Sequence, residues 1–400
     1  MEVIDLSNIL IISAVFPPEP VVSAMLSRDI AGRLSKNHSV VVLCPQPSRP
    51  EGYRFEKIIE ETDYRVIHLD SFISPASNLL GRLKESYSLG KHSVDYIKKN
   101  SKNIDCIYIN SWPLASQYLI IKIAKKLRIP CVIHIQDIYP ESLTSKLPKV
   151  VGRFFYHLLL PVDRFILKNA TKVLGISENM ISYLSKTRKV ERSKFELVRN
   201  WQDDEHFLNF IPKPDCQSIF TFMYVGSISP SAGVEMLIYA FHKANLENSK
   251  LLIVGNGAEK ETCMEIAQKL NNRNIEFSEV VPEEVAEMQS NADVLLLPLK
   301  KGISRTATPS KLTAYLFSAK PIIACVEKGS DVANILNQAD CGFVVEPENV
   351  DTIAMSMKKT YTMEKAELEK KGCNGKGYAT LHLSKKANLG KVTAIIENII

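Results

Sequence analysis

The chain has 400 residues, 45% of them hydrophobic and 24% charged, with a net charge of +6. That length predicts two domains, each able to bury its own core, in a soluble globular protein. No apolar run reaches the roughly 20 residues of a membrane span, and Glu2 and Asp5 stand where a secretory leader carries basic residues. The eight cysteines show neither Cys-x-x-Cys spacing nor a Cys/His cluster, which argues against a disulfide framework or a bound metal and for a reducing cytoplasm.

The first half reads as alternating strands and helices. Buried strands are expected at 9–14, 39–44, 65–69, 106–110, 131–135 and 172–177, where short runs of Ile, Val and Leu are bounded by turn residues. Helices are expected at 23–35, 79–100 and 116–127, then over the basic stretch after residue 146, and from Glu178. Composition shifts at Asn200-Trp201-Gln202-Asp203, and 201–216 reads as a linker. The alternation then restarts, with strands at 220–225, 251–254, 275–277, 293–299, 321–326 and 343–345 and helices between them. Residues 361–391 are lysine-rich and weakly patterned, and a final apolar helix follows. This pattern predicts a doubly wound α/β domain over 1–200 and another over 217–384, with 385–400 packing against one of them. Two such halves predict a ligand cleft between the carboxyl ends of two parallel sheets.

Charge is unevenly divided. Residues 1–200 hold 29 Lys and Arg against 19 Asp and Glu; residues 201–400 hold 21 against 25. Most of the excess lies in 146–199, with 12 basic and 4 acidic residues interleaved with Val150, Val151, Phe154, Phe155 and Leu158–Leu160. A basic, aromatic segment suits an anionic membrane surface; the competing reading is a core helix with a solvated basic face. No nucleic-acid recognition motif accompanies the charge, so no nucleic-acid partner is expected.

Two stretches carry candidate chemistry. From Asp293 to Val326 a strand leads into a loop with Lys300, Lys301 and Arg305, then a helix start at Thr308-Pro309-Ser310-Lys311 with Thr308 as cap and Pro309 at the first helical position. A helix N-terminus beyond a strand end, next to basic residues, is suited to phosphate. At the end of another strand stand His134, Asp137 and Glu141, groups able to exchange protons or bind hydroxyls, with helix capping as the alternative for Asp137. Gly255-Asn256-Gly257 resembles part of a dinucleotide turn, but Lys260 stands in place of the third glycine. No P-loop, Gly-x-Ser-x-Gly or His-Glu-x-x-His sequence is present.

Asp137-Ile138-Tyr139-Pro140-Glu141-Ser142 resembles the Asp-Leu-Trp-Pro-Glu-Ser signature of family 4 glycosyltransferases, in the branch of fucosaminyl-type transferases of bacterial surface polysaccharides. Phe16-Pro17-Pro18-Glu19, Asn37-His38-Ser39-Val40, Asn200-Trp201-Gln202-Asp203, Tyr224-Val225-Gly226, Val254-Gly255-Asn256-Gly257 and Pro309-Ser310-Lys311 resemble further family segments in the same order. The resemblance implies the GT-B fold, with an acceptor-binding Rossmann-like domain first, a nucleotide-sugar-binding one second, and the last helix crossing back to the first. It implies a cytoplasmic transferase of hexosyl or N-acetylhexosaminyl type, needing no metal and no cofactor, that takes a uridine diphosphate sugar and a lipid-linked saccharide at the inner membrane. Asp137 and His134 would be catalytic; Glu141, Gly226, Ser227, Arg305, Thr306, Thr308, Ser310 and Lys311 would bind substrate.

The chain also departs from the family pattern. Ser227 and Ala232 replace the Arg and Lys that grip the diphosphate, and Thr306 and Ala314 replace the two carboxylates of the Glu-x7-Glu motif. Ala319 replaces a glycine, and Val21-Val22 stand where glycines are usual. Two other readings follow: a non-catalytic, glycosyltransferase-like partner subunit, and a nucleotide-sugar epimerase on the same fold.

Overall fold

The computed structural model describes residues 6–48, 55, 62–74, 79–110, 114–145, 147–201, 204–210, 219–281, 284–303 and 309–400. The chain divides into two compact units, one of residues 1–200 with 388–400, the other of 201–387.

Unit 1 runs β1 (Asn8–Ser13), α1 (Val22–Leu34), β2 (Ser39–Pro45), β3 (Arg65–Leu69), α2 (Leu79–Asn100), β4 (Cys106–Asn110), α3 (Ala115–Leu127), β5 (Cys131–Ile135), α4 (Glu141–Thr144), α5 (Lys149–Asn169), β6 (Lys172–Gly175), α6 (Glu178–Arg188) and β7 (Phe195–Leu197). Its seven strands form one parallel sheet in the order β3-β2-β1-β4-β5-β6-β7. β1, β4 and β5 are buried along nearly their whole length because helices cover both faces, which is why they read as continuous apolar runs rather than alternating ones. The strand order reverses between β1 and β4, the position at which doubly wound sheets open a crevice.

Unit 2 runs α7 (Glu205–Leu208), β8 (Phe220–Val225), α8 (Val234–Ala244), β9 (Ser249–Val254), α9 (Lys260–Lys269), β10 (Ile275–Ser278), α10 (Val285–Ser290), β11 (Val294–Pro298), α11 (Ser310–Phe317), β12 (Ile322–Cys325), α12 (Asp331–Ala339), β13 (Gly342–Val345), α13 (Val350–Tyr361) and α14 (Lys365–His382). The parallel order is β10-β9-β8-β11-β12-β13, reversing between β8 and β11. A last helix, α15 (Lys385–Glu397), starts in unit 2 and from Asn388 belongs to unit 1. There Asn388 accepts a hydrogen bond from the Arg199 amide (2.9 Å), Glu397 meets His38 (3.6 Å), and Val392 and Ile396 are buried.

Three local expectations change. The weakly patterned 361–391 stretch contains the 18-residue α14. Its Gly372 lies so close to the turn before β12 that a Cβ would stand 1.9 Å from the Ala319 carbonyl oxygen. The glycines that hid the helix from its sequence thus give it its packing. β7 is a three-residue strand that the sequence pattern misses. Pro309 is extended, at the residue before α11, rather than first within the helix.

Candidate active site

In unit 1 the polar groups gather where the strand order reverses. Asn110, closing β4, donates through Nδ2 to Ser27 Oγ (3.0 Å) and the Ser23 carbonyl (3.3 Å), so α1 fixes its amide. Ser27 in turn meets Ser13, at the end of β1, at 2.8 Å. A pocket of about 120 Å³ opens here, lined by Ser23, Asn110, Gln117, His134, Gln136 and Asp137 among others.

His134 and Asp137 both border this pocket but differ in environment. Asp137 is exposed just past β5, and no partner to its carboxylate occurs among the described residues. A carboxylate there can accept a proton, or a hydrogen bond from a hydroxyl. His134 is 1% exposed, with Nδ1 2.8 Å from the Tyr108 hydroxyl and Nε2 short of a well-formed hydrogen bond. Burial lowers its pKa to about 4, with a weaker opposing pull from the Val198 backbone. A neutral imidazole with so low a pKa is a poor proton acceptor at pH 7 and a sound hydrogen-bonding support.

That shift makes the His134 contribution to stability acid-sensitive. The unfolded imidazole titrates near 6.5 and the folded one near 4, so stability is complete above 6.5 and declines as pH falls toward 4. The span corresponds to about 3 kcal/mol. The buried Asp163 carboxyl, pushed up to about 6, works in the opposite sense over the same range, so the His134 contribution is read by comparison. Between pH 7.5 and 4.5, urea unfolding is expected to show a larger loss of stability in the wild type than in His134→Gln.

Glu141 is placed differently from expectation. Arg188 reaches both its oxygens (2.7 and 2.5 Å), and the Tyr183 hydroxyl donates to Oε1 at 2.8 Å. Both oxygens already have protein donors, which makes Glu141 a brace rather than a free acceptor for a ligand. Burial works against its charge, but these donors hold its pKa below the usual carboxylate value. Arg188 is fully buried and also holds Asp163 Oδ2 (2.6 Å) and the Tyr139 carbonyl (2.7 Å). One guanidinium therefore ties α6 and α5 to the turn that carries Asp137. Burial pushes the Asp163 carboxyl up to about 6, with Arg188 opposing. Sequence reasoning missed Arg188, because nothing in a basic run marks which member turns inward.

In unit 2 the switch between β8 and β11 brings together Gly226, Ser227 and Lys311. Tyr315, fully buried on α11, accepts from the Val225 amide (2.8 Å) and donates to its carbonyl (3.0 Å). This fastens α11 to the end of β8. Lys311, one turn earlier, then lies over Gly226, which has φ +144°; a Cβ there would stand 2.2 Å from Lys311 Cε. The ammonium donates to the Tyr224 hydroxyl, lies 4.5 Å over the Tyr224 ring and is 3.4 Å from the Ser227 carbonyl. These partners are neutral oxygens and a π face; among the described residues no carboxylate pairs with it. Burial lowers its pKa to about 8. Ser227 is exposed beside it. The neighbouring Gly255-Asn256-Gly257 turn packs on this loop through backbone bonds, Gly226 N to Val254 O (2.8 Å) and Ile228 N to Asn256 O (2.9 Å).

Arg305, Thr306 and Thr308 lie outside the described residues, and of Ser310 only the backbone, opening α11, is described. Among the described residues no helix is long and apolar enough to cross a membrane.

Comparison with known proteins now gives this geometry a setting. Residues 24–201 match the family model of the glycosyl transferase 4-like domain, and residues 215–375 that of glycosyl transferases group 1. The "Probable glycosyltransferase WbjE" of Pseudomonas aeruginosa is 23% identical over 238 residues, which is 56% of this chain and 58% of that protein. The chain thus matches somewhat over half the length of this curated relative. Among solved structures, HepE of Anabaena, in complex with UDP, superposes with a TM-score of 0.70 at 14% identity, covering 98% of this chain and 100% of that one. WaaG, a glycosyltransferase involved in lipopolysaccharide biosynthesis, gives 0.61 at 16%, covering 97% and 99%.

Proposed function

We propose that this chain, a GT-B protein built from a glycosyl transferase 4-like domain followed by a glycosyl transferases group 1 domain, moves a sugar from a uridine diphosphate donor to a lipid-linked saccharide in bacterial surface-polysaccharide synthesis. The observation that carries the reading is Lys311: a half-buried ammonium without an anionic partner among the described residues, held over the glycine turn at a sheet's switch point. The sequence lacks the usual basic pair at Ser227 and Ala232, and Lys311 supplies a cation to the same loop from α11. The relative solved with UDP and the relative of lipopolysaccharide synthesis support the donor and the setting.

In this reading the bond between the anomeric carbon and the diphosphate oxygen breaks, and the acceptor oxygen takes its place. Lys311, the start of α11 at Ser310, and the amides after Gly226 stabilise the charge growing on the diphosphate, together with Arg305 and Thr308, while Ser227 and Thr306 bind donor hydroxyls. Asp137 orients the acceptor hydroxyl and takes its proton. His134 holds the floor of the acceptor pocket through Tyr108. The lipid carrier places the reaction at a membrane, where the basic segment 146–199 makes peripheral contact.

Titration of UDP into the protein by calorimetry tests this. Lys311→Met is expected to weaken binding on the order of 10- to 100-fold, the worth of one charged hydrogen bond. In the wild type, affinity is expected to fall from pH 7 to 9, as an ammonium with a pKa of about 8 loses its proton. The variant is expected to show no such step, and a chelator is expected to leave wild-type binding unchanged. Absence of UDP binding at millimolar concentration would overturn the donor site. It would favour a non-catalytic partner subunit, the reading that the missing carboxylates at Thr306 and Ala314 support.

A further inference from the structure

We infer that the first three turns of α5 are a membrane-inserting element whose ligand is an anionic lipid surface. Val150, Phe154 and Leu158 recur every four residues along one face and are 84%, 66% and 57% exposed, with Val151 and Phe155 exposed beside them. Large side chains on a helix normally turn inward. Here the inward positions are Gly152, which sits against the Thr144 carbonyl, and further on Asp163, Ile166 and Leu167. The outward apolar stripe is therefore a second face, left over after the helix has packed. A contiguous patch of this kind marks a contact surface.

Charge identifies the occupant. Lys149 and Arg153 are exposed within the stripe, and from Ser142 to Val162 the sequence contains no Asp or Glu. Four of the other basic residues of 146–199 are engaged within the protein, while Lys168, Lys186 and Lys189 are exposed. Arg188 is buried among carboxylates, Lys172 pairs with Glu196, Arg192 with Glu178, and Lys194 donates to the carbonyls of Lys168 and Ala170. Lys149 and Arg153 thus stand where the apolar side chains project, on a stretch without a carboxylate, the arrangement of an interfacial helix. A second copy docking symmetrically would set this acid-free stretch against itself, with no carboxylate there to meet Lys149 and Arg153. The inference takes its purpose from the lipid-linked acceptor proposed above, but its test needs neither donor nor acceptor, so either can fail alone.

Flotation with vesicles of phosphatidylcholine, with or without phosphatidylglycerol, is the experiment. The wild-type protein is expected to float with the anionic vesicles, less so at raised ionic strength. Val150→Ser/Phe154→Ser/Leu158→Ser is expected to lower affinity at least about tenfold, and Lys149→Gln/Arg153→Gln about thirtyfold. Both changes lie at exposed positions, so both variants are expected to melt like the wild type and to keep its response to UDP. Wild-type protein that ignores anionic vesicles, or a triple-serine variant that binds them as tightly as wild type, would overturn the inference. So would a wild-type dimer that the triple variant dissociates without any vesicle binding, which would assign the stripe to a second copy.

Discussion

Arg188→Met is expected to lower the stability of unit 1 by about 3–5 kcal/mol, the cost of stranding the buried Asp163 carboxylate by removing the cation it shares with Glu141. The variant keeps side-chain volume, so the loss is electrostatic rather than a cavity. Arg188 makes contacts at 2.5–2.7 Å with Glu141, Asp163 and the Tyr139 carbonyl; Glu141 is partly exposed, whereas Asp163 is buried and loses its cation. The pH dependence is diagnostic. Asp163, already near 6 through burial, rises further without the guanidinium. Its folded form then binds a proton more tightly than the unfolded one, so stability falls as pH rises through that window. Chemical unfolding should therefore show a larger deficit at pH 8 than at pH 5, and Asp163→Asn in the variant should recover part of it. A deficit independent of pH would mean that Arg188 acts through packing.

Gly255→Ala is expected to cost about 3–5 kcal/mol in unit 2, from two sources that act together. Gly255 has φ +154°, and its Cβ would stand 2.0 Å from the Gly226 carbonyl oxygen, a backbone atom with no freedom to retreat. Relief requires parting the turns after β8 and β9, which also moves Gly226 from under Lys311, so UDP binding should weaken with stability. Gly377 in α14 is the control: nothing lies within 4 Å of a Cβ there, and Gly377→Ala is expected to stabilise by up to about 1 kcal/mol. Denaturant midpoints of the two variants should therefore move in opposite directions.

The contrast between these glycines shows what the sequence exposed and what it concealed. Gly255-Asn256-Gly257 is visible as a motif, and its partial match to a dinucleotide turn is misleading. The glycines are needed because one backbone turn lies directly on another, a contact between residues about 30 apart that no local pattern encodes. Strand positions were legible because burial on both faces forces unbroken apolar runs such as Leu295-Leu296-Leu297. β7 escaped because a three-residue edge strand has too few residues to show a period. The position of Asp137 was legible because it follows a clear strand. Its support was not, since Glu141, Asp163 and Arg188 meet only once α4, α5 and α6 are folded. Lys311 could be read as a cation near a helix start. That it would lie over Gly226 and against Tyr224 depends on β8 and β11 being neighbours, which the order of the chain does not state.

The return of residues 388–400 to unit 1 bears on how the molecule is made. A ribosome releases the seven strands of the first sheet early, yet Val392 and Ile396 arrive only after all of unit 2 has been synthesised. The nascent first unit must hold the seat for α15 open through that interval, while the second unit has its whole sequence by residue 387 and can close at once. Folding thus finishes in the reverse of the order in which the units begin.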